Sequence, residues 1–493
     1  MRFNKVCAGR RVSPQEAFDR LDAGWGFNDL SSSSSSSYLN NKKVTAMFEF
    51  DTRKSAGMSR AELEAYWMPY TANRQFKEDP RIIVAAKGAY LTDAQGRQVF
   101  DGLSGLWTCG EGHCRPEIAE AVARQLKQLD YAPAFQYGHP KAFELANRIK
   151  ELTPAGLDYV FYTGSGSESA DTSLKMARAY WRKKGMSSKT KLIGRSKGYH
   201  GVNFGGFSVG GIGANRALYG LGVDADHLPH TLLLENAFSR GMPPLGVERA
   251  EDLLELIALH DASNIAAVIV EPMAGSAGVL PPPKGYLKRL REICDQHNIL
   301  LIFDEVITGF GRMGSYTGAE EFGVVPDIIN VAKQLTNGAV PMGAVITSTE
   351  IYQTFMDNGG PDYMMELPHG YTYSGHPVAC AAALASLDIL KQDNLVARVN
   401  EISPLFEDAL HSLKGSQYIS DIRNYGLAGA LQIDAYPGEP GRRPYEIAMK
   451  CWDKGYYVRY GGDTLQLGLP FITEPFEIDN VINALSESIN ELD

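Results

Sequence analysis

The sequence predicts an α/β fold, a large domain with a mainly parallel sheet flanked by helices, plus a smaller α+β domain. Three observations carry this reading. Short, wholly apolar runs of strand length, at 265–270 and 299–303, stand in mid-chain, as in strands buried on both faces. Between them, Leu287, Leu290, Ile293 and Cys294 recur at helical spacing, and strand–helix alternation of this kind builds parallel sheets. Past about residue 395 the alternation becomes mixed, with a helix, strands around 427–433 and 456–467, and a closing helix.

In chain order, residues 1–57 read differently from the rest. They carry a basic start, the serine run Ser31 to Ser37 and a polar Asn-Asn-Lys-Lys. Serines have no apolar area to bury against the entropy of ordering, so a disordered extension is expected, with Met47 or Met58 as alternative starts. A transit peptide would be poor in acids, whereas Glu16, Asp19, Asp22 and Asp29 stand here. Ser59 and Glu62 have capping-box spacing before a short helix ending near Trp67. A hairpin is expected over 89–100 with its turn at Asp93 to Gly96, followed by a helix after Pro116 bearing Ile118, Val122, Leu126 and Leu129. Strands at 159–162, 328–331 and 343–347, and a helix through Ala170, Leu174 and Ala177, extend the alternation.

The 493 residues leave room for two or three domains at about 150 residues each. Lysine plus arginine total 48 against 58 acids, a net charge of −10, which argues against nucleic-acid binding. No run of 18 apolar residues exists, so no membrane helix is expected. The six cysteines are scattered, as expected for free thiols in a reducing, cytoplasmic setting. No apolar core of a secretory signal stands near the start. Cys109, His113 and Cys114 lack a second ligand pair at zinc-like spacing, so no metal site is expected.

Polar residues follow the apolar strands closely. Asp304 follows Leu300 to Phe303, Lys333 follows Asn330 to Ala332, Glu271 follows Val268 to Val270, and Gly164-Ser165-Gly166-Ser167 follows Val160 to Tyr162 and opens a helix. Ligands of open parallel sheets bind outside the carboxyl ends of the strands. The Gly/Ser loop at a helix start suits a phosphate, but Ser169 breaks a Gly-x-Gly-x-x-Gly pattern and no Gly-Lys-Ser/Thr follows. One phosphate, a lysine amine and a strand-end aspartate together suit pyridoxal phosphate.

Asp304-Glu-Val-Ile-Thr-Gly-Phe-Gly-Arg312, Pro326-Asp327, Lys333 and Pro341-Met-Gly-Ala-Val345 resemble the signature of class III (subgroup II) pyridoxal-phosphate aminotransferases. So do Thr163 to Asp171, Gly198-Tyr-His-Gly201 and Thr372 to Pro377. The segment Tyr66 to Lys77 is similar to the ω-amino acid–pyruvate branch, also called β-alanine–pyruvate aminotransferases. The resemblance implies fold type I, with 58–104 as the N-terminal part of the small domain, 105–394 as the cofactor-binding domain and 395–493 as the C-terminal small domain.

It further implies that Lys333 bonds the cofactor and acts as the base. Asp304 would pair with the pyridinium nitrogen, and Tyr199 and Val306 would cover the two ring faces. Ser165, Gly166 and Ser167 would hold the phosphate, together with Thr372 of a neighbouring subunit, so the active site would be shared in a homo-oligomer. Glu271 would stand at the cofactor, either touching it or bracing the residues that do. Trp107 and Phe135 would line the substrate pocket and Arg459 would bind a carboxylate, while Arg442 and Arg443 are expected in a solvated loop. His200 and His376 are expected to be structural. The implied reaction moves an amino group from β-alanine or a related amine to pyruvate. The rivals are a γ-aminobutyrate, ornithine or diamine aminotransferase, an aminomutase, or a non-catalytic protein on the same fold.

Overall fold

A computed structural model describes residues 58–220 and 222–492; the N-terminal serine run and the extension expected over 1–57 lie outside them. Three sheets organise the described residues. The first strands are β1 (Ile83–Lys87), β2 (Tyr90–Asp93) and β3 (Gln98–Asp101). The β2–β3 turn forms because Asp93 Oδ1 accepts from the main-chain N–H groups of Gln95 and Arg97, at 3.0 and 2.8 Å. Gly96 there takes φ +82°, which costs a residue without Cβ little.

The large sheet contains β4 (Leu157–Thr163), β5 (Lys191–Arg195), β6 (Ala225–Leu228), β7 (Ile265–Val270), β8 (Leu300–Asp304), β9 (Ile328–Val331) and β10 (Gly343–Ser348), in the order β4-β10-β9-β8-β7-β5-β6. Only β10 runs against its neighbours; the other six point the same way. Along β7, Ala267 and Ile269 pack with Leu174, Ala177 and Trp181 of the helix Gly166–Lys183, while Val268 and Val270 join the core that holds Leu287 and Leu290 of Tyr286–Gln296. That two-sided burial is why β7 is apolar at every position.

A third, antiparallel sheet joins β11 (Ile419–Tyr425), β12 (Ala428–Ile433), β15 (Thr464–Gly468) and β14 (Arg459–Gly461). Between them in sequence, β13 (Tyr456–Tyr457) instead pairs parallel with β3, so the chain's C-terminal part completes the sheet begun near its start. The first described helix, Arg60–Glu64, has its capping box at Ser59 and Glu62 but stops short of Trp67. Among the described residues, no helix is long and apolar enough to cross a membrane.

Candidate active site

Because β4, β5, β7, β8 and β9 run the same way, their carboxyl ends deliver side chains to one crevice of about 360 Å³. Ser165, Gly166, Ser167, Tyr199, Glu271, Asp304, Val306 and Lys333 line it.

Each wall has a local cause. Ser165 caps the helix Gly166–Lys183 by accepting from the Glu168 N–H at 3.2 Å. Ser167 Oγ accepts from Val202 N–H at 3.1 Å, tying the helix start to the loop after β5. A Cβ on Gly166 would stand 2.9 Å from both methyls of Val306, and one on Gly201 would stand 2.5 Å from Ser167 Oγ. Both glycines therefore let the two walls approach each other.

The carboxylates are fixed in different ways. Buried Asp304 accepts from His200 Nδ1–H at 2.8 Å through Oδ2, and from Val306 N–H at 3.2 Å through Oδ1. Glu271 accepts from Tyr199 N–H at 2.9 Å and Gly275 N–H at 3.2 Å, while its main-chain carbonyl accepts from Arg195 Nη2 at 2.9 Å. Burial raises the Glu271 carboxyl above its ordinary range. Both its oxygens are spent on backbone, so it braces the Tyr199 loop.

Lys333 follows β9 at φ +36°, in the left-handed region. Burial pushes its amine down to about 8; Asp304 and Glu271 oppose that fall and the Arg459 charge adds to it. A partly neutral amine at neutral pH is a nucleophile.

Four expected residues stand elsewhere. Trp107 is buried with Leu103, Met273 and Val279, with the Arg312 guanidinium 5.7 Å above its ring. Phe135 is exposed and covers Gly370. Thr372 is exposed, its carbonyl accepting from the Tyr131 hydroxyl at 2.9 Å. Arg459 lines an adjacent cavity of about 380 Å³ with Tyr70, Arg81 and Tyr457. His376 caps a helix by accepting from Val378 N–H at 3.2 Å, and His113 pairs with Asp101 at 2.7 Å. Arg443 corrects the expectation of a solvated loop: it is buried, its guanidinium 3.9 Å from the Tyr418 ring and 4.1 Å from that of Tyr436. With Arg442 it opens the helix Arg442–Asp453. Crevice residues not foreseen are Leu106, Thr108, Ile307, Thr336 and Met342.

The donor set fits pyridoxal phosphate. Backbone at a helix start, opened by Gly166, meets a phosphate, Asp304 offers a buried charge, and Lys333 an amine. Fold and site are those of a pyridoxal-phosphate enzyme of fold type I. The sequence model of the family described as aminotransferase class-III matches residues 71–489. A β-alanine–pyruvate aminotransferase of Pseudomonas aeruginosa is 65% identical over 88% of this chain and 97% of its own length. An ω-amino acid–pyruvate aminotransferase of Pseudomonas putida is 62% identical over 88% and 97%. Among solved structures, a PLP-bound amine transaminase from an uncultivated Pseudomonas species superposes with a TM-score of 0.81 at 34% identity, covering 87% of this chain and 99% of that one. The chain belongs to the class III aminotransferases.

Proposed function

We propose that this enzyme moves the amino group of an ω-amino acid such as β-alanine, or of a related amine, to pyruvate, giving malonate semialdehyde (or another aldehyde or ketone) and L-alanine. The observation that carries the reading is the convergence of Lys333, Asp304 and the Gly164–Ser167 loop on one crevice. The identities of 65% and 62% to β-alanine–pyruvate and ω-amino acid–pyruvate enzymes support the choice of substrates.

When bound, pyridoxal phosphate supplies an aldehyde that accepts the amino group and a ring that takes up negative charge. Ser165, Gly166 and Ser167 would hold the phosphate. Asp304 would keep a proton on the ring nitrogen, and Tyr199 and Val306 would cover the ring. Lys333 would hold the group through its Nζ and, when that amine is free, would carry the proton that the substrate carbon loses. Arg459 receives the substrate carboxylate from the neighbouring cavity. Thr372, exposed on one chain, would complete the phosphate site of a second copy, where exposed Phe135 would join the substrate wall, while buried Trp107 would back the crevice of its own chain through Ile307. On this reading the enzyme is a cytoplasmic homo-oligomer, with a cofactor domain over 105–394 and a small domain built from 58–104 and 395–493.

A panel of amino donors against pyruvate and 2-oxoglutarate tests the proposal. β-Alanine with pyruvate should rank among the fastest pairs. A clear preference for γ-aminobutyrate, ornithine or a diamine with 2-oxoglutarate would replace it. Lys333→Ala should be colourless and inactive.

A further inference from the structure

We propose that Glu111, as a neutral carboxylic acid, is a positioning residue for Lys333, acting through the side chain of Gln334. The segments 110–112 and 334–337 are knitted by side-chain amides. Gly110 N–H donates to Gln334 Oε1 at 2.9 Å, and Gln334 Nε2 donates to Glu111 Oε1 at 3.2 Å. Glu111 N–H donates to Asn337 Oδ1 at 3.0 Å, and Asn337 Nδ2 donates to the Gly112 carbonyl at 2.8 Å. The Ser386 hydroxyl, on the helix Pro377–Gln392, donates to Glu111 Oε1 at 2.7 Å.

That clamp sits where the backbone needs it. Lys333 at φ +36° and Asn337 at φ +49° bracket the clamped turn. Residues with side chains persist in that region only where their surroundings enforce it. Gln334, between them, is gripped at both ends of its amide. A Cβ on Gly110 would lie 2.5 Å from Gln334 Oε1, so the two segments are already in contact.

The protonation state follows from the neighbours. Glu111 is fully buried and its Oε2 has no partner. The nearest cation, Arg115, reaches only the Glu111 main-chain carbonyl, at 3.4 Å, and spends its charge on Asp393 at 2.7 Å and Glu117 at 3.0 Å. An unpaired buried carboxylate is costly, so the group keeps its proton. Burial pushes the Glu111 carboxyl up to about 8; Ser386, Arg115 and Gln334 oppose the rise, and Asp393 adds to it. Alkaline ionisation then leaves a buried charge with no cationic partner, which the Gln334 and Ser386 donors offset only in part, so water is drawn in around Glu111 and the turn that carries Lys333 loosens.

The inference rests on Lys333 as the cofactor-bonding lysine, which Lys333→Ala tests separately: turnover in that variant defeats the assignment whatever Glu111 does. Glu111→Gln keeps the Oε1 acceptor and cannot ionise, whereas Glu111→Ala removes the clamp. Two readouts are compared across neutral and alkaline pH. One is kcat and KM of the holoenzyme; the other is the rate at which cofactor-free protein bonds added pyridoxal phosphate, followed by absorbance. Lys333 titrates in the same range, so the difference between Glu111→Gln and wild type isolates Glu111. Glu111→Gln should match wild type at neutral pH and lose the part of the alkaline decline centred near 8. Glu111→Ala should lose about 2- to 10-fold in kcat and in bonding rate with KM unchanged, the scale of one neutral hydrogen bond. If Glu111→Gln is as impaired as Glu111→Ala, or fails to fold, the neutral acid is refuted. If Glu111→Ala melts lower but keeps wild-type kcat and bonding rate, Glu111 is structural and positions nothing.

Discussion

Asp304 and His200 share a buried hydrogen bond of 2.8 Å across 104 residues of sequence. A carboxylate only accepts, so the proton lies on His200 Nδ1; His200 Nε2 is buried without a partner. His200 therefore donates to one oxygen of Asp304 while Val306 N–H holds the other. The same Val306 presents its methyls to Gly166 across the crevice. Asp304, Val306 and the loop at Gly166 are mechanically one unit.

If the Asp304 charge stabilises negative charge developing on the bound ring, Asp304→Asn should slow the amine half-reaction by about 10²- to 10³-fold, the scale of losing one preorganised electrostatic contact. His200→Phe removes a hydrogen bond to a charged group and should cost about 10- to 150-fold. Single-turnover absorbance with β-alanine measures both. Wild-type rates in both variants would leave Asp304 without a catalytic role.

The Gly166 contact makes a reciprocal prediction. Gly166→Ala places a Cβ 2.9 Å from both Val306 methyls, and overpacking of this kind typically costs about 1–3 kcal/mol. The variant should release cofactor more readily on dialysis. Val306→Ala added to it should restore retention in part, and an equally leaky double variant would mean that the clash is not the cause.

Lys333 predicts a pH dependence in cofactor-free protein. Burial of its charged form lowers the amine from 10.5 to about 8. The rate of bonding pyridoxal phosphate should climb with pH and level off above about 8, less any alkaline loosening by Glu111. Stability carries the matching sign. Between about 8 and 10.5 the folded state binds fewer protons at this site than the unfolded chain, so the site's contribution rises with pH across that window. Denaturant midpoints of wild type minus Lys333→Met should show the rise, and a flat difference would place the amine near its ordinary value.

Strands buried on both faces were the legible part of this fold. The runs at 265–270 and 328–331 coincide with β7 and β9 because two-sided burial favours apolar residues; the exception, buried Asn330 of β9, donates to Ser173 Oγ at 3.0 Å. β5 and β6 gave no such signal. β5 begins and ends on Lys191 and Arg195, and β6, at the sheet edge, carries Asp226 and His227. Site residues adjoining strong strands, such as Asp304 and Lys333, were visible by position. Contacts made across the chain were not: nothing local pairs His200 with Asp304, 104 residues on, or marks Glu111, whose partner Gln334 lies 223 residues away. Arg443 misled because its loop-like neighbours hide a pocket of two tyrosines.

Arg459 bears on how one pocket serves unlike substrates. It stands on β14 in the cavity beside the crevice, and its charge is felt at both Lys333 and Tyr199. Pyruvate must bring a carboxylate close to the cofactor, whereas a simple amine brings none. A long side chain at a cavity boundary can meet the acid in one half-reaction and withdraw beside Tyr70 and Tyr460 in the other. Removing a hydrogen bond to a charged group costs about 1.5–3 kcal/mol, or about 10- to 150-fold. Arg459→Ala should weaken pyruvate and β-alanine by that factor while sparing 1-phenylethylamine, which carries no carboxylate. Single-turnover rates with each substrate decide it. Equal losses for all three would make Arg459 a brace of its sheet, with no part in substrate choice.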